Sequence, residues 1–143
     1  MRAIADRLRV DGARLLTLMG PGGVGKTRLG LEAARAVKAD FADGAYFASL
    51  ASVRTPEEVP AAVVKTLAIV VLSGESAKQT AARFLAAKHL LLVVDNFEHV
   101  LAAAPFIGTL LDACPALTIL ATSREPLNVR AERVIQAFGD LVG

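Results

Sequence analysis

The chain has 143 residues, of which 54% are hydrophobic and 21% charged, a balance that excludes an intrinsically disordered protein and fits one folded domain. Its 16 basic and 14 acidic side chains leave a net charge of +2, too small an imbalance to predict a nucleic-acid-binding surface. The single cysteine excludes an internal disulfide bond. No secretory signal and no apolar run of membrane-spanning length is found, so we expect a cytoplasmic protein with no membrane partner.

Short apolar runs alternate along the chain with longer helical patterns, which predicts an α/β fold with helices on both faces of a mostly parallel sheet. The predicted strands are Leu15–Met19, Ala45–Leu50, Leu90–Val94, Leu117–Ala121 and a short fifth strand at Val134–Gln136. The predicted helices are Gly25–Lys38, Thr55–Ala68, Ser76–Lys88 and a helical region from Phe97 to Ala113. Two points stay open: Pro105 either kinks the last helix or starts a second one, and Ile69–Leu72 either ends a helix or is extended.

Two helix starts carry the pattern of a capping box, in which a hydroxyl and a carboxyl or amide side chain three residues later bind each other's backbone N–H groups. Thr55 pairs with Glu58 in the first, and Ser76 pairs with Gln79 in the second. Between the last helix and the fourth strand stands Cys114, which we interpret as a small buried apolar residue rather than a nucleophile.

The first predicted strand runs directly into a glycine-rich loop that opens a helix. The loop reads Gly20, Pro21, Gly22, Gly23, Val24, Gly25, Lys26, Thr27 and matches the phosphate-loop pattern G-x-x-x-x-G-K-S/T in full. The glycines allow backbone amides to approach a phosphate closely, and the start of the helix adds partial positive charge. The loop therefore predicts a site for ATP or ADP, and the nucleotide-binding set extends to Arg28, whose side chain we place on a solvated helix face with Glu32.

Each polar side chain of the loop has a predicted role. We expect Lys26 to reach the β- and γ-phosphates and Thr27 to place its hydroxyl on Mg2+. A P-loop also needs an acid at the end of a neighbouring strand for the Mg2+ shell, and Asp95 follows the apolar run Leu90–Val94. The predicted metal ligands are therefore Thr27 and Asp95.

The residues after Asp95 bear on catalysis. Asn96 has no useful basicity and cannot act as a general base, so hydrolysis is predicted to be slow. Glu98 is the nearest alternative acid, and it either favours a helix N-terminus or takes part in catalysis. His89 and His99 have neither metal-ligand spacing nor a neighbouring nucleophile, so we interpret them as surface or packing residues.

The fourth strand ends in Thr122, Ser123 and Arg124. Ligands of such sheets bind at the carboxyl ends of the strands, so these groups should lie near the phosphate loop. We expect Arg124 to sense a γ-phosphate, against the alternative of an arginine paired with Glu125 or solvent. Together with Lys26 and Asp95, Arg124 completes the predicted catalytic set.

Three segments carry a resemblance to a known family: Leu15–Leu29, Asp95–Leu101 and Ala121–Leu127. They resemble the motifs of the STAND-class P-loop ATPases of the NB-ARC/AP-ATPase type, as found in bacterial LuxR-type and antibiotic-pathway transcriptional regulators. The resemblance implies the three-layer P-loop fold with strand order 2-3-4-1-5. It also implies a switch that ADP keeps closed, and ATP-dependent self-association. The phosphate-binding, metal and sensing roles fall on the same residues as above.

Members of that family continue into a helical lid, a winged helix and effector or sensor domains. None of these follows here, so residues 1–143 are predicted to be a single, truncated nucleotide-binding domain of a longer parent. Two alternatives stay open. A P-loop phosphotransferase needs a lid with clustered arginines, whereas Leu72–Thr80 offers only Lys78. A remnant that folds without binding nucleotide well is the other.

Overall fold

The computed structural model describes residues 2–21 and 25–137 as a five-stranded sheet covered by helices on both faces. The strands are β1 (Leu15–Met19), β2 (Ala45–Ser49), β3 (Leu91–Asp95), β4 (Thr118–Ser123) and β5 (Glu132–Gln136). The α-helices are α1 (Arg2–Arg9), α2 (Lys26–Val37), α3 (Val59–Leu67), α4 (Ala77–Leu85) and α5 (Ala104–Ala113). Short 3-10 helices span Lys38–Asp40, Pro56–Glu58 and Phe97–Ala103.

The strand order is β2-β3-β4-β1-β5, and every strand pair in the described sheet is parallel. β1 therefore lies between β4 and β5: Leu15 is paired with Ile119 on one side and with Glu132 on the other. This is the fold of the P-loop NTPases, and the predicted fold class and order are confirmed. All strands end at the same edge of the sheet, where the phosphate loop leaves β1.

Alternate side chains of the strands enter two separate cores, which is why the central strands are largely apolar. Leu92 and Val94 face the core beneath α3, α4 and α5, whereas Leu91 and Val93 face the core beneath α1 and α2. All five residues of β3 are buried. Among the described residues no helix combines the length and apolarity needed to cross a membrane.

Helix α1 was not predicted. Ile4, Ala5 and Leu8 are buried on one side of it and join the core beneath α2. With only eight residues, the helix shows its periodicity in three positions, too few to stand out from the sequence.

The capping box at Thr55 was predicted wrongly, whereas the one at Ser76 is confirmed. The Thr55 hydroxyl donates to the Glu58 carboxylate at 3.1 Å instead of accepting from the backbone. Pro60, which lacks an N–H, occupies the first turn of α3, so the α-helix starts at Val59 behind a 3-10 turn. At α4 both reciprocal bonds form: the Gln79 amide N–H donates to Ser76 Oγ, and the Ser76 N–H donates to Gln79 Oε1.

The remaining differences concern element ends. Pro105 starts a second helix, α5, behind the 3-10 segment, and residues 69–72 are neither helix nor strand. Helix α4 ends at Leu85, three residues before the predicted Lys88. β4 runs two residues further than predicted, to Ser123, and β5 starts at Glu132 rather than Val134. The polar strand ends were missed because apolar patterning does not register polar residues, even buried ones such as Thr122 and Ser123.

Candidate nucleotide-binding site

The phosphate loop connects the end of β1 to the start of α2. Gly20 is buried, and its N–H donates to the Ser123 carbonyl of β4 at 3.3 Å, which ties the loop to the neighbouring strand. Gly25 adopts φ 77°, a left-handed conformation that side chains disfavour, and α2 begins at the next residue. The predicted phosphate-binding residues Gly22, Gly23 and Val24 lie outside the described residues, and Pro21 is exposed.

The Lys26 side chain folds into the site rather than into solvent. It is 6% exposed, and its Nζ donates to the Gly20 carbonyl at 2.6 Å. The same ammonium lies 3.8 Å from Oε1 of Glu98, which follows β3. A buried lysine needs such partners, because desolvation of an unpaired ammonium is costly. The lysine therefore stands at the strand edge with its charge held in place by two oxygens.

Thr27 and Asp95 meet across the edge of the sheet. The Thr27 hydroxyl donates to the Asp95 carboxylate, with its Oγ1 at 2.9 Å from Oδ2 and 3.1 Å from Oδ1. Asp95 is 3% exposed at the end of β3. Residues 68 positions apart are thus brought together by the strand order, as the predicted metal pair requires.

The donor set fits a hard divalent cation such as Mg2+. A carboxylate and a hydroxyl supply oxygen ligands, which this ion prefers over nitrogen or sulfur. Across residues 2–21 and 25–137 no group of three or more His, Cys, Asp or Glu side chains is placed to hold a metal. Thr27 and Asp95 could therefore hold Mg2+ only together with water and phosphate oxygens, which is its usual mode of binding beside a nucleotide.

Thr122 also contacts the Asp95 carboxylate. The side chain of Thr122 is fully buried, and its hydroxyl donates to Asp95 Oδ1 at 2.6 Å while accepting the N–H of Asn96 at 2.9 Å. Asn96 adopts φ 69°, a left-handed backbone that this bond stabilises. The sequence placed Thr122 near the loop but assigned it no role. The signal in the sequence that could have indicated a role for Thr122 was its position, as a hydroxyl residue at the end of a buried apolar strand.

The residues on either side of this cluster have different surroundings. Glu98 is partly exposed, and its Oε1 also accepts the backbone N–H of Arg124 at 3.2 Å. The backbone N–H of Arg124 therefore contacts Glu98 of the candidate site, whereas the residue as a whole is exposed to solvent. His99 binds the Val53 carbonyl through Nε2 at 2.8 Å, in keeping with a packing role.

Three other residues singled out from the sequence have partners outside this cluster. The Arg28 side chain pairs with Glu32 at 3.3 Å on the solvated face of α2, as predicted. Burial raises the pKa of the Cys114 thiol, which suits a packing residue and not a nucleophile. His89 lies against the Phe41 ring, with 5.1 Å between ring centroids.

The fold and this strand-edge cluster define the class of the molecule as a P-loop NTPase fold. Solved structures of the same fold include Cdc6p from Pyrobaculum aerophilum, with a TM-score of 0.69 and 16% identity over 94% of this chain and 43% of that one. The ORC2 protein of Aeropyrum pernix, solved as ADPNP–ADP complexes, gives a TM-score of 0.59 and 16% identity over 87% of this chain and 40% of that one. At this identity the likeness concerns the fold alone.

Relatives in sequence are mycobacterial. A Mycobacterium tuberculosis protein described as a "Putative HTH-type transcriptional regulator" is 42% identical over 120 residues. An uncharacterised protein of Mycobacterium bovis is 38% identical over 120 residues. Each match covers 83% of this chain, but the chain spans only 13% of the first relative and 30% of the second. No protein-family model matches the chain.

Proposed function

We propose that this chain is the ATP- and ADP-binding switch module of a longer regulatory ATPase of the STAND type, with Mg2+ as its cofactor and slow hydrolysis. One observation carries the proposal: the Thr27 hydroxyl and the Asp95 carboxylate lie 2.9 Å apart beside a buried Lys26. A hydroxyl, an acid and an ammonium at the carboxyl edge of a parallel sheet form the set that binds a nucleotide phosphate with Mg2+.

Bound ATP would contribute the phosphoanhydride bond that is hydrolysed. The chain would position this bond and supply the charged groups around it. Lys26 binds the phosphate oxygens, Thr27 and Asp95 hold the metal side, and the amides of the loop from Gly20 cradle the phosphates. Asn96 follows Asp95 where a strong general base would be needed, which supports slow turnover. A slow hydrolase keeps its nucleotide state long enough to act as a switch.

The regulatory part of the proposal is supported by the relatives. One relative is named as a putative transcriptional regulator, and the match to this chain covers 13% of the length of that relative. We therefore place residues 1–143 as one nucleotide-binding domain, with the lid, effector and sensor functions in other parts of a longer protein. ATP-dependent self-association and a cytoplasmic location stay predictions of the same proposal.

Calorimetric titration with ADP and Mg2+ tests the phosphate site. Lys26→Ala should weaken binding at least about tenfold, because it removes a charge-assisted contact to phosphate. Lys38→Ala is the matched control: it removes an exposed ammonium just beyond the far end of α2 and should bind like the wild type. Equal affinity of wild type and Lys26→Ala would contradict the assignment of the phosphate loop.

Arg124→Ala tests the sensing role. We expect a non-hydrolysable ATP analogue to lose about tenfold in affinity, the effect of one hydrogen bond to a charged group, while ADP binding stays unchanged. Arg130→Ala serves as the control, since Arg130 is exposed in the same β4–β5 connection. Equal loss of ATP analogue and ADP would show that Arg124 is structural.

A further inference from the structure

Glu98 connects the phosphate-binding lysine to the loop after β4. It stands in the 3-10 segment Phe97–Ala103, directly behind β3, and its side chain is 22% exposed. A single oxygen, Oε1, lies 3.8 Å from Lys26 Nζ and accepts the Arg124 N–H at 3.2 Å. The two contacts join residues from α2, from the segment after β3 and from the end of β4.

We propose that Glu98 competes with the phosphate groups of the nucleotide for Lys26, so that this carboxylate lowers the affinity of the site and its release reports occupancy to Arg124. The inference rests on the proposed function. It concerns a residue that the phosphate-loop pattern does not include.

The competition follows from the charges. The ammonium of Lys26 has three donors, of which one binds the Gly20 carbonyl and another faces Glu98. A phosphate that reaches Lys26 brings negative charge close to the Glu98 carboxylate. Two like unit charges that are 4 Å apart repel each other by about 1 kcal/mol in water, and by more where solvent is partly excluded. We therefore expect phosphate binding to turn Glu98 away from Lys26, so that Oε1 leaves the Arg124 N–H.

A contribution of Glu98 to hydrolysis is separable from this competition. ADP has no γ-phosphate to lose, so its affinity reports binding to the site without any contribution from hydrolysis. A catalytic acid that does not compete for Lys26 leaves ADP affinity unchanged when it is neutralised. Neutralising a carboxylate that does compete for Lys26 raises ADP affinity.

The experiment is titration of the full chain with ADP, without and with Mg2+, at low ionic strength. Glu98→Gln keeps an oxygen acceptor for the Arg124 N–H but removes the charge that opposes phosphate. We expect it to bind metal-free ADP about fivefold more tightly than the wild type does. The gain should be smaller with Mg2+, which neutralises part of the phosphate charge. Asp112→Asn is the control: it removes one exposed carboxylate at the end of α5, near the opposite edge of the sheet, and should leave ADP affinity unchanged.

Each outcome decides between the claims. If the wild type binds ADP and Glu98→Gln binds it no more tightly, the competition is overturned and the proposed function stands. If neither protein binds ADP, the proposed function fails and the inference fails with it. Tighter binding by Glu98→Gln and Asp112→Asn alike would assign the effect to net charge and overturn the inference. Amide NMR checks the report to Arg124: its N–H resonance should move when ADP binds to the wild type, and an unmoved resonance contradicts the release of Glu98.

Discussion

At the scale of single residues, the Asp95 carboxylate is held by hydroxyls from two different elements. Thr27 donates from α2 and Thr122 donates from β4. A carboxylate that is 3% exposed needs such donors, because burial of an unpartnered charge costs several kcal/mol. The hydroxyls also orient the two oxygens. The proposed metal-binding end of the site is therefore held in a fixed arrangement by the chain's own hydrogen bonds.

Thr122→Val tests this arrangement. The substitution keeps the shape and the methyl group but removes the hydroxyl, so both Asp95 Oδ1 and the Asn96 N–H lose a partner. We expect a loss of about 1–3 kcal/mol in the free energy of unfolding, measured by urea denaturation. We also expect a smaller gain in ADP affinity on adding Mg2+, because Asp95 is no longer fixed.

Thr122→Ser is the matched control, since it keeps the hydroxyl and removes the methyl. That methyl group packs toward α2 at Gly30. If a Cβ atom were added to Gly30, it would lie 3.4 Å from Thr122 Cγ2. Thr122→Ser should lose some stability through packing but retain the Mg2+ effect on ADP binding. If both variants lose the Mg2+ effect equally, the hydroxyl is not what positions Asp95.

Some residues of the candidate site belong to a sequence motif and could be predicted from it. Other residues join the candidate site only through contacts in the fold, and these could not be predicted. The P-loop pattern identified Lys26 and Thr27, and a hydrophobic run identified Asp95. The bond from Thr122 to Asp95 and the contact of Glu98 with Lys26 depend on how β3 and β4 lie side by side and on the turn after β3. No local pattern in the sequence carries that information.

At the scale of elements, the connection between α3 and α4 is organised by one carboxylate. Glu75 accepts hydrogen bonds from the buried Thr80 hydroxyl at 2.7 Å, from Arg83 at 2.7 Å and from the Leu72 N–H at 3.2 Å. Arg83 also donates to the Val70 carbonyl at 3.3 Å. These bonds hold the segment 70–76 in place although its side chains Val70, Val71 and Leu72 are exposed.

The same contacts predict a pH dependence of stability. Arg83, then Thr80, lower the pKa of Glu75 from its ordinary value of 4.5 to about 2. The folded-state pKa lies below the unfolded one, so the contribution of Glu75 is complete above the ordinary value and is lost as pH falls toward about 2. Urea denaturation should therefore show wild type more stable than Glu75→Gln at about pH 6, with the difference shrinking at about pH 3.

Arg83→Met provides the control for that experiment. Without the guanidinium the pKa of Glu75 is depressed less, so the effect of Glu75→Gln on stability in this background should depend less on pH than it does in the wild type. A difference between wild type and Glu75→Gln that stays constant with pH would contradict the role of the Glu75 charge.

The end of helix α5 at Ala113, which was predicted correctly, is also stabilised by a residue that is distant in sequence. Arg14, just before β1, donates to the carbonyls of Leu111 at 3.0 Å and Cys114 at 2.7 Å, the last turn of α5 and the residue after it, and to Leu117. Carbonyls at a helix C-terminus have no partner within the helix, and here a distant arginine binds them. Local backbone bonds also form at this end, such as the one from the Leu117 N–H to the Cys114 carbonyl at 3.1 Å. The guanidinium that adds to them is about a hundred positions away in sequence.

At the scale of the whole molecule, periodicity predicted the alternation of strands and helices but not the order of the strands. Apolar runs marked β1, β3 and β4 because these strands are buried on both faces or nearly so. β2 was also predicted although only Ala48 among its residues is buried, whereas β5, which is similarly exposed, was predicted only in part. The order β2-β3-β4-β1-β5 came from the family resemblance. Pairing partners are chosen by long-range packing, which a single sequence does not display.

The position of β1 in the sheet has a consequence for how the protein is made. Both partners of β1, β4 and β5, are synthesised about a hundred residues later, so the strand waits unpaired while most of the chain is translated. Contacts that distant in sequence also close slowly. The phosphate loop extends from the end of β1, and Gly20 is tied to Ser123 of β4. The proposed nucleotide site would therefore be among the last features to form, and nucleotide binding by the nascent chain would mark the moment when β1 has paired with β4 and β5.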